Sequence, residues 1–289
     1  MDHWQTNNSP GVHWMAIKDW KIRDTVLPTT QKTLVMGILN MTPDSFSDGG
    51  SYSTVDIALQ RVREMIEDGA DIIDIGGEST RPGYQPVSEE EELRRVIPVI
   101  ERIRKEFTIP LSIDTYKSNV ARAAILAGAD IINDIGGLQY DGNMAKTAAE
   151  LKVPVIVMHN RSEPTDEDFV ATWIQDMQKA LVIAIRAGIE PDRIILDPGI
   201  GFAKTHEQNL LAMKYLHTFC NLGYPVLLGT SRKSIIAKTL NLPVQERVEG
   251  TAATVACGIF QGAAIVRVHD TKAMVRVAKM TDAMMRVRG

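Results

Sequence analysis

The sequence contains little cysteine, no long apolar run and no excess of either charge. Its two cysteines, Cys220 and Cys257, lack the spacing of a metal-binding pair, and we expect both to be free thiols. No apolar run approaches the ~20 residues that a membrane-spanning helix needs, and the initial "MDHWQTNNSPG" lacks the regions of a secretory signal. A net charge of −4 with both signs interspersed does not suggest a nucleic-acid-binding surface. We therefore predict a cytoplasmic protein that binds neither nucleic acid nor a membrane.

Several motifs of common enzyme classes are also missing. The six histidines form no H-x-H or H-E-x-x-H pattern, so a zinc site is not expected. The segment "GTSRKS" (residues 229–234) lacks the glycine that precedes the lysine of a P-loop. The segment "DPGIGFAK" (residues 197–204) contains only a short G-x-G, which is a weak signal. These absences argue against a site built for ATP or zinc.

Eight short apolar runs alternate with helical patterns along the chain. Glycine ends the helical stretch before several of them, as in the near-copies "EDGADIIDIGG" (residues 67–77) and "LAGADIINDIGG" (residues 126–137). Continuous β-branched runs are typical of parallel strands covered on both faces. The eight runs are "LVMGIL", "DIIDIG", "PLSID", "DIINDI", "PVIVMH", "RIILD", "PVLLGT" and "AIVRVH". This order predicts an α/β fold, a TIM (β/α)8 barrel. An open, doubly wound sheet is the alternative, weakened because no G-x-G-x-x-G follows the first run.

The barrel is predicted to occupy residues 33–289. Residues 1–32 carry Trp4, Trp14 and Trp20 but little hydrophobic periodicity. We predict a short N-terminal extension there, in the form of a small hairpin that closes the bottom of the barrel.

Polar residues stand at the carboxyl ends of the runs, where (β/α)8 enzymes hold their active sites. Any one of them could simply cap the next helix, but so many together predict a convergent site. Asp114, Asn133 and Asp197 offer hydrogen-bond acceptors that suit the N–H edge of a flat heterocycle. The set comprises Asn40, Asp74, Asp114, Asn133, His159, Asp197, Arg232, Lys233, Arg267 and His269.

A second group at the strand ends suits an anion. Lys233, Arg267 and His269 are cations or potential cations, and Arg267 and His269 face the same side of their strand because they are two residues apart. Such groups fit a phosphate or a diphosphate. Two long loops, roughly residues 40–53 and 77–88, follow the first two runs. Their small polar residues and glycines, as in "LNMTPDSFSDGG", are typical of loops that order around a bound anion.

Seven motifs now indicate a family. They are "GILNMTPDSFSDGG", "DIIDIGGESTRPG", "LSIDTYK", "INDI", "ILDPGIGF", "GTSRKS" and "VRVHD", in that order between residues 36 and 270. They resemble the signatures of the dihydropteroate synthases, the folate-pathway enzymes that sulfonamides inhibit. The resemblance implies a homodimeric TIM barrel that joins 4-aminobenzoate to (7,8-dihydropterin-6-yl)methyl diphosphate, with Mg²⁺ accompanying the diphosphate. It also implies a dissociative, SN1-like mechanism.

The resemblance assigns roles to particular residues. It places the pterin diphosphate on Thr80, Asp114, Asn133, Met158, Asp197, Phe202, Lys233, Arg267 and His269, and Mg²⁺ beside Asn40. It places 4-aminobenzoate on Phe46, Thr80, Pro82 and Ser234. The residues expected to matter most for catalysis are Lys233, Asp114, Arg267, His269, Asp48 and Arg81, the last pair by ordering the two loops.

Two other functions compete with this assignment. A pterin-binding methyltransferase on the same barrel would use methyltetrahydrofolate and a corrinoid partner, but it would not need "GTSRKS" or the two long loops. An inactive paralogue that binds pterin would be expected to lose Lys233, Arg267, His269 or the loop residues, and all are present. Met41 stands where a valine is expected. The "STRPG" loop has no insertion, so we predict sensitivity to sulfonamides.

Overall fold

The structure is a computed structural model that describes residues 19–22, 25–42, 54–79 and 85–287. Its strands and helices alternate as the apolar runs predict. The strands are β1 (Trp20–Ile22), β2 (Thr25–Leu27), β3 (Leu34–Asn40), β4 (Ile72–Gly76), β5 (Leu111–Asp114), β6 (Ile131–Asp134), β7 (Val155–Met158), β8 (Ile194–Asp197), β9 (Leu227–Leu228) and β10 (Ile265–Val268). The helices are α1 (Thr54–Glu67), α2 (Glu89–Glu106), α3 (Ser118–Ala127), α4 (Met144–Leu151), α5 (Phe169–Arg186), α6 (His206–Lys214), α7 (Leu216–Cys220), α8 (Ser234–Leu240), α9 (Val248–Phe260) and α10 (Thr271–Arg286).

Eight parallel strands form one sheet, in the spatial order β8-β7-β6-β5-β4-β3-β10-β9. A parallel bridge between Leu196 and Val226 joins β8 to the chain just before β9, so the sheet closes on itself. The predicted TIM barrel is therefore confirmed, and the doubly wound alternative is wrong.

The outward face of the strands packs against the helices. On β10, Val266 and Val268 contact a cluster that includes Val255 of α9 and Met274 of α10. This is the period-2 alternation of a strand, with every second residue turned toward the helical layer. Within the described residues, no helix is both long and apolar enough to cross a membrane.

The inward face of the strands is apolar at its lower level and polar above. The lower level is a buried cluster that contains Leu34, Met36, Ile72, Ile131, Ile156, Ile195, Leu227 and Ile265. Two positions further along four of these strands, on the same face, the chain has Asp74, Asn133, Asp197 and Arg267. The barrel thus has an apolar floor and a polar layer directly above it, toward the carboxyl ends of the strands.

A short hairpin closes the lower end of this floor. Strands β1 and β2 pair antiparallel, with Trp20 opposite Leu27. Trp20, Ile22 and Leu27 are buried in the same cluster as the lower inward residues of the barrel. The division at residue 32 between an extension and the barrel stays a prediction, and Trp4 and Trp14 lie outside the described residues.

Local sequence signals set where the helices begin. Ser88 caps α2 by accepting a hydrogen bond from the backbone N–H of Glu91. Four glutamates fill the first turn of α2, and Arg104 and Lys105 lie in its last turn, which matches the helix dipole. The long loop that follows β4 therefore ends at a firmly defined helix, next to the mouth of the barrel.

Candidate active site

A cavity of about 410 Å³ opens at the carboxyl ends of the barrel strands. Its position agrees with the location of active sites in (β/α)8 enzymes. The predicted site residues among those that line it are Asn40, Asp114, Phe202, Lys233, Ser234, Arg267 and His269. The barrel thus brings together side chains that are up to 229 positions apart in the chain (Asn40 to His269).

Other predicted residues lie elsewhere. Asn133, Met158 and Asp197 are buried at or near the ends of β6, β7 and β8, but they do not belong to the residues that line the cavity in the described chain. Five predicted residues lie outside the described part of the chain: Phe46, Asp48, Thr80, Arg81 and Pro82.

Arg267 is held between two carboxylates inside the barrel. Its Nε donates to Asp74 Oδ2 and its Nη2 donates to Asp114 Oδ2, each at 2.6 Å. Burial alone would lower the pKa of Arg267, but the two carboxylates outweigh it and raise the pKa above its ordinary value. Burial raises the pKa of Asp114 to about 7, with Arg267 opposing this effect and Asp74 adding to it. Arg267 is therefore a fixed cation, while Asp114 is a carboxylate that can take up a proton near neutrality.

Lys233 covers the other side of the cavity. Its ammonium donates to the backbone carbonyl of Ile200 at 2.6 Å and lies 4.7 Å from the centre of the Phe202 ring. Burial lowers the pKa of Lys233 to about 8, and Asp197 partly counteracts this. Burial likewise raises the pKa of Asp197, with the charge of Lys233 opposing. Asp197 also accepts from the N–H of Gly199 at 2.7 Å, which fixes the start of the loop that carries Phe202.

Sequence reasoning missed one residue near the cavity and left another undecided. Asp74 was in the strand-end set with a helix cap as the alternative, and the structure shows it fully buried and bound to Arg267. Ser231 was not singled out, although its Oγ lies 3.0 Å from His269 Nδ1 and accepts from the His269 N–H at 3.1 Å. The signal for Asp74 was available, because it lies two residues after the inward-facing Ile72 on the same strand.

His159 was in the predicted strand-end set, but the structure places it outside the site. It is buried, but it is not among the residues that line the cavity in the described chain. Its Nδ1 lies 2.9 Å from the ammonium of Lys204, and its Nε2 lies 3.6 Å from Asp176 Oδ2. His159 follows the inward-facing Met158 by one position, so strand alternation turns it away from the barrel axis.

Sequence comparison places the chain among known proteins. The model of the pterin binding enzyme family matches residues 36–269, which is most of the chain. The dihydropteroate synthase of Bacillus subtilis is 57% identical over 267 residues, covering 92% of this chain and 94% of that protein. The chain belongs to the dihydropteroate synthase family of pterin-binding enzymes.

Solved structures of family members have the same fold. The Xanthomonas albilineans dihydropteroate synthase with 4-aminobenzoic acid is 42% identical, with a TM-score of 0.87 over 91% of this chain and 96% of that one. The Yersinia pestis dihydropteroate synthase in a sulfonamide drug complex is 40% identical, with a TM-score of 0.87 over 93% and 99% of the two chains. The family membership accounts for a barrel whose polar layer combines buried acceptors with cations.

Proposed function

We propose that this protein joins 4-aminobenzoate to (7,8-dihydropterin-6-yl)methyl diphosphate, giving 7,8-dihydropteroate and diphosphate. The observation that carries this proposal is that one cavity is lined by Arg267, paired with Asp114, together with Lys233 and His269. One part of such a site recognises a ring with N–H donors, and another holds an anion. The relative from Xanthomonas albilineans, found with 4-aminobenzoic acid, supports the choice of the aryl amine.

The buried acceptors form the pterin-binding part of the site. Among the described residues, Asp114 Oδ1 and Asn133 Oδ1 are buried and have no hydrogen-bond partner. Asp114 and Asn133 lie side by side on β5 and β6. A pterin presents its 2-amino group and N3–H as adjacent donors, and buried acceptors favour a ligand that satisfies them. Phe202, beneath Lys233, offers an apolar face for the flat ring.

The cations and Asn40 form the diphosphate-binding part. Arg267 offers a planar guanidinium, and His269 is oriented by Ser231. Within the described chain, no three His, Cys, Asp or Glu side chains are grouped as a metal site. Mg²⁺ fits this chemistry, because it commonly takes one or two protein oxygens and completes its shell with phosphate oxygens and water. Asn40 would supply the protein oxygen, and the ion would neutralise charge on the departing diphosphate.

The reaction needs little acid–base help from the protein. In the dissociative mechanism that we propose, the C–O bond to diphosphate breaks with its electron pair leaving on oxygen. The resulting methylene cation is stabilised by the pterin ring, and the lone pair of the aryl amine then forms the new C–N bond. The amine loses one proton to solvent. An aniline nitrogen is an uncharged nucleophile at neutral pH, so the protein mainly positions the reactants and stabilises the leaving group.

The aminobenzoate pocket is proposed at Ser234, on the cavity wall. Phe46, Thr80 and Pro82 would complete this pocket, and Asp48 and Arg81 would order the two loops. Ordered loops would exclude water, which would otherwise trap the cation.

A homodimer in the cytoplasm is part of the same proposal. The helical segments 206–222 and 246–287 are proposed to form the dimer face. Several large apolar side chains are exposed there, namely Leu210, Phe260, Met280 and Met284. Exposed apolar groups on adjacent helices favour association. Sedimentation velocity of the purified protein would show a species of twice the chain mass, and a monomer at micromolar concentration would contradict the proposal.

Turnover is the experiment that tests the function. Purified protein is mixed with dihydropterin methyl diphosphate, 4-aminobenzoate and Mg²⁺, and diphosphate and dihydropteroate are both followed. Equal amounts of the two products are expected. The Lys233→Ala variant should lose turnover, whereas the control variant Lys179→Ala should keep it, because the Lys179 side chain is exposed on α5. Methyl transfer from methyltetrahydrofolate to a corrinoid protein would point to the methyltransferase. Pterin binding without either product would point to the inactive paralogue.

A further inference from the structure

Asp74 lies inside the barrel beneath the cavity and touches two residues of the proposed pterin site. Its side chain is fully buried, and it is not among the residues that line the cavity in the described chain. We propose that Asp74 is a positioning residue that orients both the guanidinium of Arg267 and the amide of Asn133, and thereby sets the hydrogen-bonding pattern that the pterin meets. This inference rests on the proposed function.

The first contact of Asp74 fixes Arg267. Nε of Arg267 donates to Asp74, while Nη2 donates to Asp114 on the other side of the guanidinium. Asp114 lines the cavity and is exposed to competition from the N–H groups of a bound pterin. Asp74 is fully buried and does not line the cavity in the described chain, so we expect its bond to Nε to persist when a ligand engages Asp114. Arg267 therefore keeps one anchor while its Nη groups become available to the substrate.

The second contact of Asp74 fixes the orientation of the Asn133 amide. An ionised carboxylate only accepts hydrogen bonds, so Asn133 must turn its Nδ2 toward Asp74 Oδ2, at 3.2 Å. The amide oxygen of Asn133 then points away from Asp74, and it has no partner among the described residues. Without this carboxylate, the amide could present either its oxygen or its nitrogen to the ligand.

These two contacts have one consequence for recognition. With the Asn133 oxygen turned away from Asp74, Asn133 and Asp114 both present acceptors from adjacent positions on β5 and β6. Two neighbouring acceptors match a ring edge with two neighbouring donors. A ring edge that lacks one of these donors binds less well, because it leaves a buried acceptor without a hydrogen bond. Asp74 thus contributes to selectivity for the 2-amino pterin without touching it.

The test compares Asp74→Asn with a matched control in the same layer. Ser112→Ala is that control, because Ser112 lies opposite Asp74 in the β4–β5 register and its buried Oγ has no partner among the described residues. The probes are 6-hydroxymethyl-7,8-dihydropterin and its analogue without the 2-amino group, with both dissociation constants measured by calorimetry. The wild type and Ser112→Ala should prefer the amino compound by at least about tenfold. In Asp74→Asn this preference should fall about tenfold or more, and the KM for the pterin diphosphate should rise more than the KM for 4-aminobenzoate.

Two results would overturn the inference. Asp74→Asn could keep the full preference for the amino compound with unchanged affinities, or it could weaken the binding of both compounds by the same factor and so leave the preference unchanged, which would reduce Asp74 to a structural role. If the wild type binds neither pterin and makes no dihydropteroate, the proposed function itself fails, which is a separate outcome.

A measurement on the wild type keeps the inference testable even if Asp74→Asn does not fold. In a ¹⁵N-labelled sample, the Arg267 Nε–H signal should exchange slowly with solvent, both free and with pterin bound, because Asp74 holds it in both states. Rapid exchange of this proton in the folded protein would contradict a persistent Asp74–Arg267 bond.

Discussion

The ammonium of Lys204 lies 2.9 Å from Nδ1 of His159, a residue 45 positions earlier in the chain. Lys204 also donates to the carbonyls of Gly199 and Phe202, at 2.8 and 3.1 Å. Lys204 therefore holds the loop between β8 and α6 from outside, while Lys233 holds the carbonyl of Ile200 from the cavity side. Two partly buried lysines fix the loop that carries Phe202.

This relationship predicts a dependence of stability on pH. Burial, with the nearby charges of Lys204 and Arg161, lowers the pKa of His159 to about 3, although Asp176 opposes the shift. Between about pH 3 and 6.5 the unfolded chain therefore binds more protons at this residue than the folded chain, so stability falls as the pH falls through this window. In His159→Gln the free energy of unfolding should vary less steeply with pH between pH 6 and 4 than in the wild type. The two slopes should differ by up to about 1.4 kcal/mol per pH unit. Urea titrations at several pH values measure these slopes, and parallel curves for the two proteins would contradict the prediction.

A second prediction concerns Gly199, which begins the same loop. Gly199 has a φ of +67°, and a Cβ there would overlap the carbonyl oxygen of His159. Gly199→Ala should therefore lower the free energy of unfolding by roughly 3–5 kcal/mol and weaken pterin binding. Gly188→Ala is the matched control, because Gly188 has a φ of +92° and no heavy atom within 4 Å of the added Cβ. The control should cost about 1 kcal/mol, as expected for left-handed backbone alone. Similar losses in both variants would show that the contact with His159 is unimportant.

The dependence of activity on pH should reveal Asp114 and Lys233. The pKa of Asp114 is raised to about 7 and that of Lys233 is lowered to about 8, chiefly by burial in both cases. Ionised Asp114 accepts from the pterin, and charged Lys233 contributes a cation, so kcat/KM should fall below about pH 7 and above about pH 8. In Lys233→Arg the fall at high pH should disappear, whatever the overall rate, because arginine stays charged. The fall at low pH should persist in the same variant and acts as its internal control. If kcat/KM of Lys233→Arg still falls at high pH, the fall is due to the titration of another group.

The hairpin supports a fourth prediction. Trp20 is 7% exposed and packs on the apolar floor of the barrel, whereas Val26 on the opposite strand is 58% exposed. Trp20→Ala should lower the free energy of unfolding by about 3–5 kcal/mol, as for other buried aromatic truncations. Val26→Ala should change it by less than about 0.5 kcal/mol. Chemical denaturation measures both, and equal effects would mean that the hairpin does not stabilise the barrel.

Much of the fold was predictable because its signals are local. Eight β-branched runs, each followed by a helical pattern, predict the strands of a parallel sheet, and every one of them is a strand in the structure. The types of residue at the strand ends also predicted acceptors beside cations, as found for Asp114 and Arg267. The strand-end rule failed for His159 and left Asp74 undecided between the site and a helix cap, because it did not ask which face of the strand each residue occupies.

What the sequence alone determined is therefore the order of elements and the chemistry available at one end of the barrel. What the tertiary structure decided is which polar groups meet. Asp74 and Arg267 are 193 positions apart, and nothing local links them. They pair because the closed sheet places both on its inner face at the same height, where burial leaves each charge dependent on the other. His159, one residue beyond an inward position, is turned outward to Lys204 for the same geometric reason.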